Sequence, residues 1–228
     1  MIMLMMPPAI HQDLPSEAYL KKQRDTWLNV AKNSKSDVEA WHKTAEFEGQ
    51  LGNWDAAIQY ESKAIDGHPK YAVAYAGRGR AHFEKKNYTA CRADCSKAIE
   101  LMEARGGLQK YLEYEQPPEF YIEAYRRRGL AWSWESKWEE ALRDFDITLK
   151  LDKDNPKLHF ERAYLSEKAK RSDAAKFYLR AGLLYFDGHN RAKVNECLEA
   201  LKRLGAKSEA AQLQKKMESG GPKSELPS

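Results

Sequence analysis

The chain has 228 residues, 42% of them apolar and 32% charged, and 38 basic against 34 acidic side chains leave a formal net charge of +4. That length builds one large core or two small ones, while the low apolar share suits a shape with much surface for its volume, such as a solenoid. The longest apolar stretch, Met1 to Met6, ends at Pro7-Pro8 without a basic start, which argues against a membrane span of ~18 residues and against a secretory signal.

Residues 1–15 show no hydrophobic periodicity and are expected to be disordered. Residues 16–33 follow as one helix with Tyr19, Leu20, Trp27, Leu28 and Ala31 as its apolar positions, the cap that a solenoid end requires. From Val38 the chain becomes self-similar. Trp41, Tyr75, Tyr125 and His159 are spaced by 34, 50 and 34 residues, and the series Ala45, Gly79, Gly129, Ala163 and Ala57, Cys91, Ala141, Ala175 repeat that spacing. Four units result, 38–71, 72–101, 122–155 and 156–187, with an insertion at about 102–120 because the middle interval exceeds the period by 16.

Each unit reads as two helices joined by a tight turn. In the first, Ser36-Asp37-Val38-Glu39 forms a capping box, Gly52-Asn53 breaks the first helix, and Ala56 to Ile65 carries apolar residues at helical spacing until His68-Pro69. The fourth opens on Asn155 as cap and Pro156 at the first helical position. Small residues at Ala45, Gly79, Gly129 and Ala163 let antiparallel helices approach, and the aromatics at Trp41, Tyr75 and Tyr125 fill the space beside that contact. In the insertion, Gly106-Gly107 and Pro117-Pro118 flank the helix-like Leu108, Tyr111 and Leu112, so it either lengthens the preceding helix or adds a short one. Residues 190–218 read as a degenerate fifth pair or cap, and 219–228 as a disordered tail.

Charges recur as well. Arg78 and Arg128 are equivalent, as are Asp94 and Asp144, which predicts an ion pair inside each of units two and three; the first unit has Thr44 and Tyr60 there. Arg162 stands opposite Tyr178, where a cation–π contact is the expectation. Cys91, Cys95 and Cys197 include no CxxC pair and the six histidines no ligand spacing, so neither a metal nor a cofactor is expected. Phosphate-cradling, dinucleotide and metalloprotease motifs are missing and no cleft of paired titratable groups is visible, so no catalytic activity is expected.

The repeated positions resemble the tetratricopeptide repeat family. They are Trp41, Ala45, Gly52, Trp54, Ala57, Tyr60, Ala64 and Pro69 in the first unit, Tyr75, Gly79, Tyr88 and Ala98 in the second, and Tyr125, Gly129, Trp138, Ala141 and Phe145 in the third; the fourth keeps Ala163, Ala175 and Leu179. The resemblance implies an all-α, right-handed superhelical solenoid of antiparallel helix pairs with flanking capping helices. It implies a cytoplasmic adaptor that binds a protein or peptide in a concave groove lined by the first helices. On that architecture the groove residues are His42, Arg80, Phe83, Arg126, Arg127, Leu130, Trp134, Phe160 and Tyr164. Basic residues at the centre and aromatics toward the carboxyl-terminal side suit an extended peptide with an acidic group and an apolar anchor.

Units two and three are also similar to the repeats of co-chaperones that grip the extreme carboxyl terminus of heat-shock chaperones. Of that grip's five polar positions Arg127 matches, whereas His42 and Glu123 replace lysines and Glu46 and Gly77 replace asparagines. A chaperone tail is therefore disfavoured as partner, and a co-chaperone with a modified grip stands as the alternative. A second alternative, an RNA-binding helical repeat, needs base-reading chemistry repeated in every unit, and His42, Ala76, Arg126 and Phe160 share none.

Overall fold

The computed structural model describes residues 15–113 and 117–219; apart from Pro15 and Ser219, the two stretches expected to be disordered lie outside the described residues. Among the described residues there are twelve α-helices and no strand. Helix α1 (Glu17–Asn33) precedes the first unit, which is α2 (Val38–Gln50) and α3 (Trp54–Gly67). The second is α4 (Ala72–Glu84) and α5 (Tyr88–Glu103), and α6 (Gly107–Glu113) lies in the insertion. The third is α7 (Glu119–Trp134) and α8 (Trp138–Leu151), the fourth α9 (Pro156–Lys168) and α10 (Ala174–Asp187), followed by α11 (Arg191–Arg203) and α12 (Lys207–Ser219). Each second helix packs on its pair mate and on the first helix of the next pair, α5 on α7 across the insertion included, so the buried clusters follow one another along a solenoid.

Local chemistry sets the boundaries. The side chains of Ser16, Asn87, Asn155 and Asn190 accept backbone N–H groups at the starts of α1, α5, α9 and α11. At α2 the cap is Asp37, which accepts from the Ala40 N–H at 2.9 Å, rather than Ser36 one residue earlier. Six of the turns between successive helices place one residue in the left-handed region: Gly52 (φ 79°), Lys86 (61°), Ser136 (58°), Lys170 (56°), His189 (58°) and Gly205 (69°). The insertion does both things the sequence allows, since α5 runs on through Glu103 and α6 follows as a separate short helix. The Tyr121 and Tyr125 hydroxyls both donate to the Glu103 carboxylate and tie the lengthened α5 to α7.

Helix approach depends on missing side chains. A Cβ on Gly79 would lie 2.8 Å from the Cys95 sulfur, and one on Gly129 would lie 3.0 Å from the Phe145 ring and 3.1 Å from the Ala141 carbonyl oxygen. Beside these contacts stand the two expected ion pairs, Arg78 with Asp94 and Arg128 with Asp144. Arg162 departs from expectation. It bonds Asp146 at 2.7 Å and Asp173 at 3.3 Å, and its guanidinium lies 4.5 Å from the Phe177 ring rather than over Tyr178. Tyr178 is buried, and its hydroxyl donates to Glu167 at 2.8 Å.

Candidate functional site

The facing sides of α2 and α4 and the first turns of α7 enclose a cleft of ≈450 Å³. Its floor is made of small residues, Ala45, Gly49, Ala76, Gly77 and Ala81, which keep the successive first helices close and leave room above them. Trp54, Val73 and Phe120 supply apolar walls, and Lys43, Glu46, Glu119 and Glu123 stand around the opening.

Under the floor lies a buried pair. His42 Nδ1 sits 3.0 and 3.1 Å from the two carboxylate oxygens of Glu61, and both residues are more than nine-tenths buried. Burial raises the Glu61 carboxyl to about 7 against the lowering pull of His42. Burial works to lower His42, but the hydrogen bond and charge of Glu61 outweigh it and leave the imidazole raised. Gly77 is part of this arrangement, because a Cβ there would fall 1.9 Å from Glu61 Oε1. An asparagine at that position would have to displace the carboxylate.

The arginines expected to form a positive centre behave differently from one another. Arg80 is exposed, its guanidinium 5.7 Å from the Trp54 ring, and it has no acidic partner among the described residues. Arg127 lies over Phe83 at 5.2 Å and is held by Glu84 at 2.7 Å and Glu123 at 3.2 Å. Arg126 is 6% exposed and bridges α7 to α9 through Glu161 while also bonding Glu123 at 3.1 Å. The charge of two of the three is thus answered from within the protein.

Among the remaining expected residues, Leu130 is half-buried beside the cluster that contains Leu142 and Phe145. Trp134 is 64% exposed and stacks on Tyr88 at 5.1 Å and 9°. Phe160 meets Tyr178 edge-on at 5.4 Å, and Tyr164 is exposed with the Lys168 ammonium 5.2 Å from its ring. The cleft brings His42, Arg80 and Arg127 together, with Phe83 joined through Arg127, and does not include Arg126, Leu130, Trp134, Phe160 or Tyr164. Sequence reasoning missed Glu61 and Phe120. Glu61 lies on a second helix, which the first-helix rule leaves out, although its place opposite a glycine is a usable signal.

Paired helices at a fixed period, small residues at each crossing and a cleft lined mainly by first helices make a solenoid of the tetratricopeptide-repeat fold. No family model matches it. Over 104 residues, 46% of its length, it is 31% identical to RNA polymerase II-associated protein 3 of Mus musculus, and the match spans only 13% of that protein. The crystal structure of MamA superposes with a TM-score of 0.61 over 79% of this chain and 99% of that one, at 19% identity, a likeness of fold alone. The first TPR of Spaghetti (RPAP3), bound to the HSP90 peptide SRMEEVD, superposes with a TM-score of 0.50 over 58% of this chain and 93% of that one, at 25% identity.

Proposed function

We propose that the chain is a non-enzymatic adaptor that holds an extended segment of a partner protein in the cleft between α2, α4 and α7. The observation that carries this reading is Arg80, a guanidinium without an acidic partner among the described residues, beside a cleft whose floor is alkyl and whose walls include aromatic rings. A guanidinium in such a place recognises a carboxylate through two parallel hydrogen bonds, while Trp54 and Phe120 receive an apolar side chain. Glu46 is already bonded to Lys43 and Glu123 to Arg126 and Arg127, which leaves Glu119 opposite Arg80 to repel further negative charge, so the preferred segment carries one acidic residue and not a cluster.

The RPAP3 repeat that holds an HSP90 peptide is the ground for a second reading, a co-chaperone with an altered grip. Against it stand four of the five grip positions: His42, which is buried against Glu61, the carboxylates Glu46 and Glu123, and Gly77. Selection of a displayed random heptapeptide library on the wild-type chain and on Arg80→Glu tests the proposal. Enriched peptides should carry a single Asp or Glu near an apolar residue and lose binding to the variant. Enrichment that is indifferent to Arg80 would remove the groove from consideration.

A further inference from the structure

A second cleft, of ≈710 Å³, opens between the end of α1 and α3 and shares no lining residue with the groove. Its floor is the pair Trp41 and Tyr60, whose rings stack at 5.7 Å and 14°, with Leu28 beside them. Lys32, Lys35 and Lys63 stand around it, all exposed and none with an acidic partner among the described residues. The Lys63 ammonium lies 4.4 Å from the Trp41 ring centroid and 5.3 Å from that of Tyr60. Asp66 is the one acidic residue among those lining the cleft.

The repeats themselves supply the comparison. In the second unit the ring equivalent to Trp41 is Tyr75, with the Arg78 guanidinium 5.6 Å away and neutralised by Asp94. In the third unit Tyr125, Arg128 and Asp144 repeat this at 5.3 Å. The first unit keeps the ring and a cation over it, but Tyr60 stands where the aspartate belongs and Thr44 where the arginine belongs. That cation, Lys63, corresponds to Lys97 of the second unit rather than to Arg78, and two further lysines join it at the cleft.

We infer that this cleft binds a phosphate monoester, carried by a phosphorylated serine or threonine of a partner protein. Three ammonium groups less one carboxylate leave two positive charges, which match the charge of about −2 on a phosphate monoester and are only half answered by a carboxylate. Lysine meets phosphate as a mobile point charge with three donors, so convergence of several around one site suits its three oxygens. The stacked rings give the residue beside the phosphate a flat apolar seat.

The test titrates fluorescein-labelled degenerate pentapeptides with a central phosphoserine into the full chain, alongside the unphosphorylated library and an oligouridine. The phosphorylated library should bind at least tenfold more tightly than its parent. At least tenfold should be lost in Lys32→Gln/Lys35→Gln/Lys63→Gln, whose side chains are exposed and do not hold the fold, but not in the charge-matched control Lys150→Gln/Lys153→Gln/Lys176→Gln. Thr44→Arg/Tyr60→Asp, which rebuilds the closed arrangement of units two and three, should abolish it as well. Equal binding of the two libraries, equal loss in both lysine variants, or tighter binding of oligouridine than of the phosphopeptides would each overturn the inference.

Discussion

Arg128 donates to both carboxylate oxygens of Asp144, at 2.9 and 2.7 Å, and to the Ser96 hydroxyl of the preceding unit at 3.1 Å. Arg78 repeats this fork, to Asp94 at 2.8 and 2.7 Å and to Ser62 at 3.1 Å. Each pair therefore joins the two helices of its own unit and fastens that unit to the one before.

Asp144 is 4% exposed, so Asp144→Ala leaves a partly buried guanidinium without its counter-charge. Breaking a buried pair from one side costs about 3 kcal/mol. Urea denaturation should show that loss as a lower midpoint at an unchanged slope; a midpoint within error of wild type would mean that the pair does not bear on stability.

The His42–Glu61 pair gives stability a pH dependence. Glu61 titrates at about 7 in the fold against a value of 4.5 in the open chain, and His42 is raised as well, so the folded state holds more protons across that window. The pair's contribution to stability is fully present below about 4.5 and is lost as pH rises through 7, by up to roughly 3 kcal/mol for a carboxyl moved that far. Lys43, Glu46 and Arg78 are the other charges near the pair and modulate this fall without reversing it. Denaturation midpoints measured from pH 5 to pH 8 should slope downward for wild type and flatten in Glu61→Gln, whereas parallel profiles would show that the pair keeps one protonation state.

Gly129→Leu should cost on the order of 1–3 kcal/mol by overpacking. Its Cβ would already press on the Phe145 ring and the Ala141 carbonyl, and the backbone oxygen cannot move aside as a side chain can. An unaltered thermal midpoint would place the close approach of α7 and α8 elsewhere.

Calorimetric titration with SRMEEVD should give weak or undetectable heat. Three of that peptide's side chains and its terminus are carboxylates, and the cleft offers them Arg80 while Lys43 and Arg127 are already taken by Glu46, Glu84 and Glu123 and Glu119 opposes them. Should the peptide bind, Arg80→Ala should weaken it by ~1–3 kcal/mol for a lost charged hydrogen bond. Tight binding that survives Arg80→Ala would show that Arg127 can leave Glu84 and Glu123 for a ligand.

The repeat plan was legible because the same demand, two helices crossing closely beside a large ring, recurs at Ala45, Gly79, Gly129 and Ala163 and leaves the same residue types each time. The Arg–Asp pairs were legible for that reason too. Charge compensation in the groove was not, since Arg126 and Arg127 take Glu161 and Glu84 from neighbouring units, 35 and 43 residues away, with no recurrence to mark them. Glu61 escaped because it belongs to a second helix and reaches the groove floor only where Gly77 makes room. Asp37 displaced Ser36 as cap by one residue, a shift that depends on which oxygen meets the Ala40 N–H.

The left-handed residue in each of those six turns gives the array a set of weak joints in series. Where that residue is Lys86, Ser136, Lys170 or His189, its Cβ works against the turn by about 1 kcal/mol, whereas Gly52 and Gly205 carry no such load. Because a solenoid's units answer only to their neighbours, relief at one joint stays local. Lys170→Gly should slow amide exchange in α9 and α10 and leave α2 and α3 at their wild-type rates; uniform protection along the chain would mean that the units open together as one cooperative block.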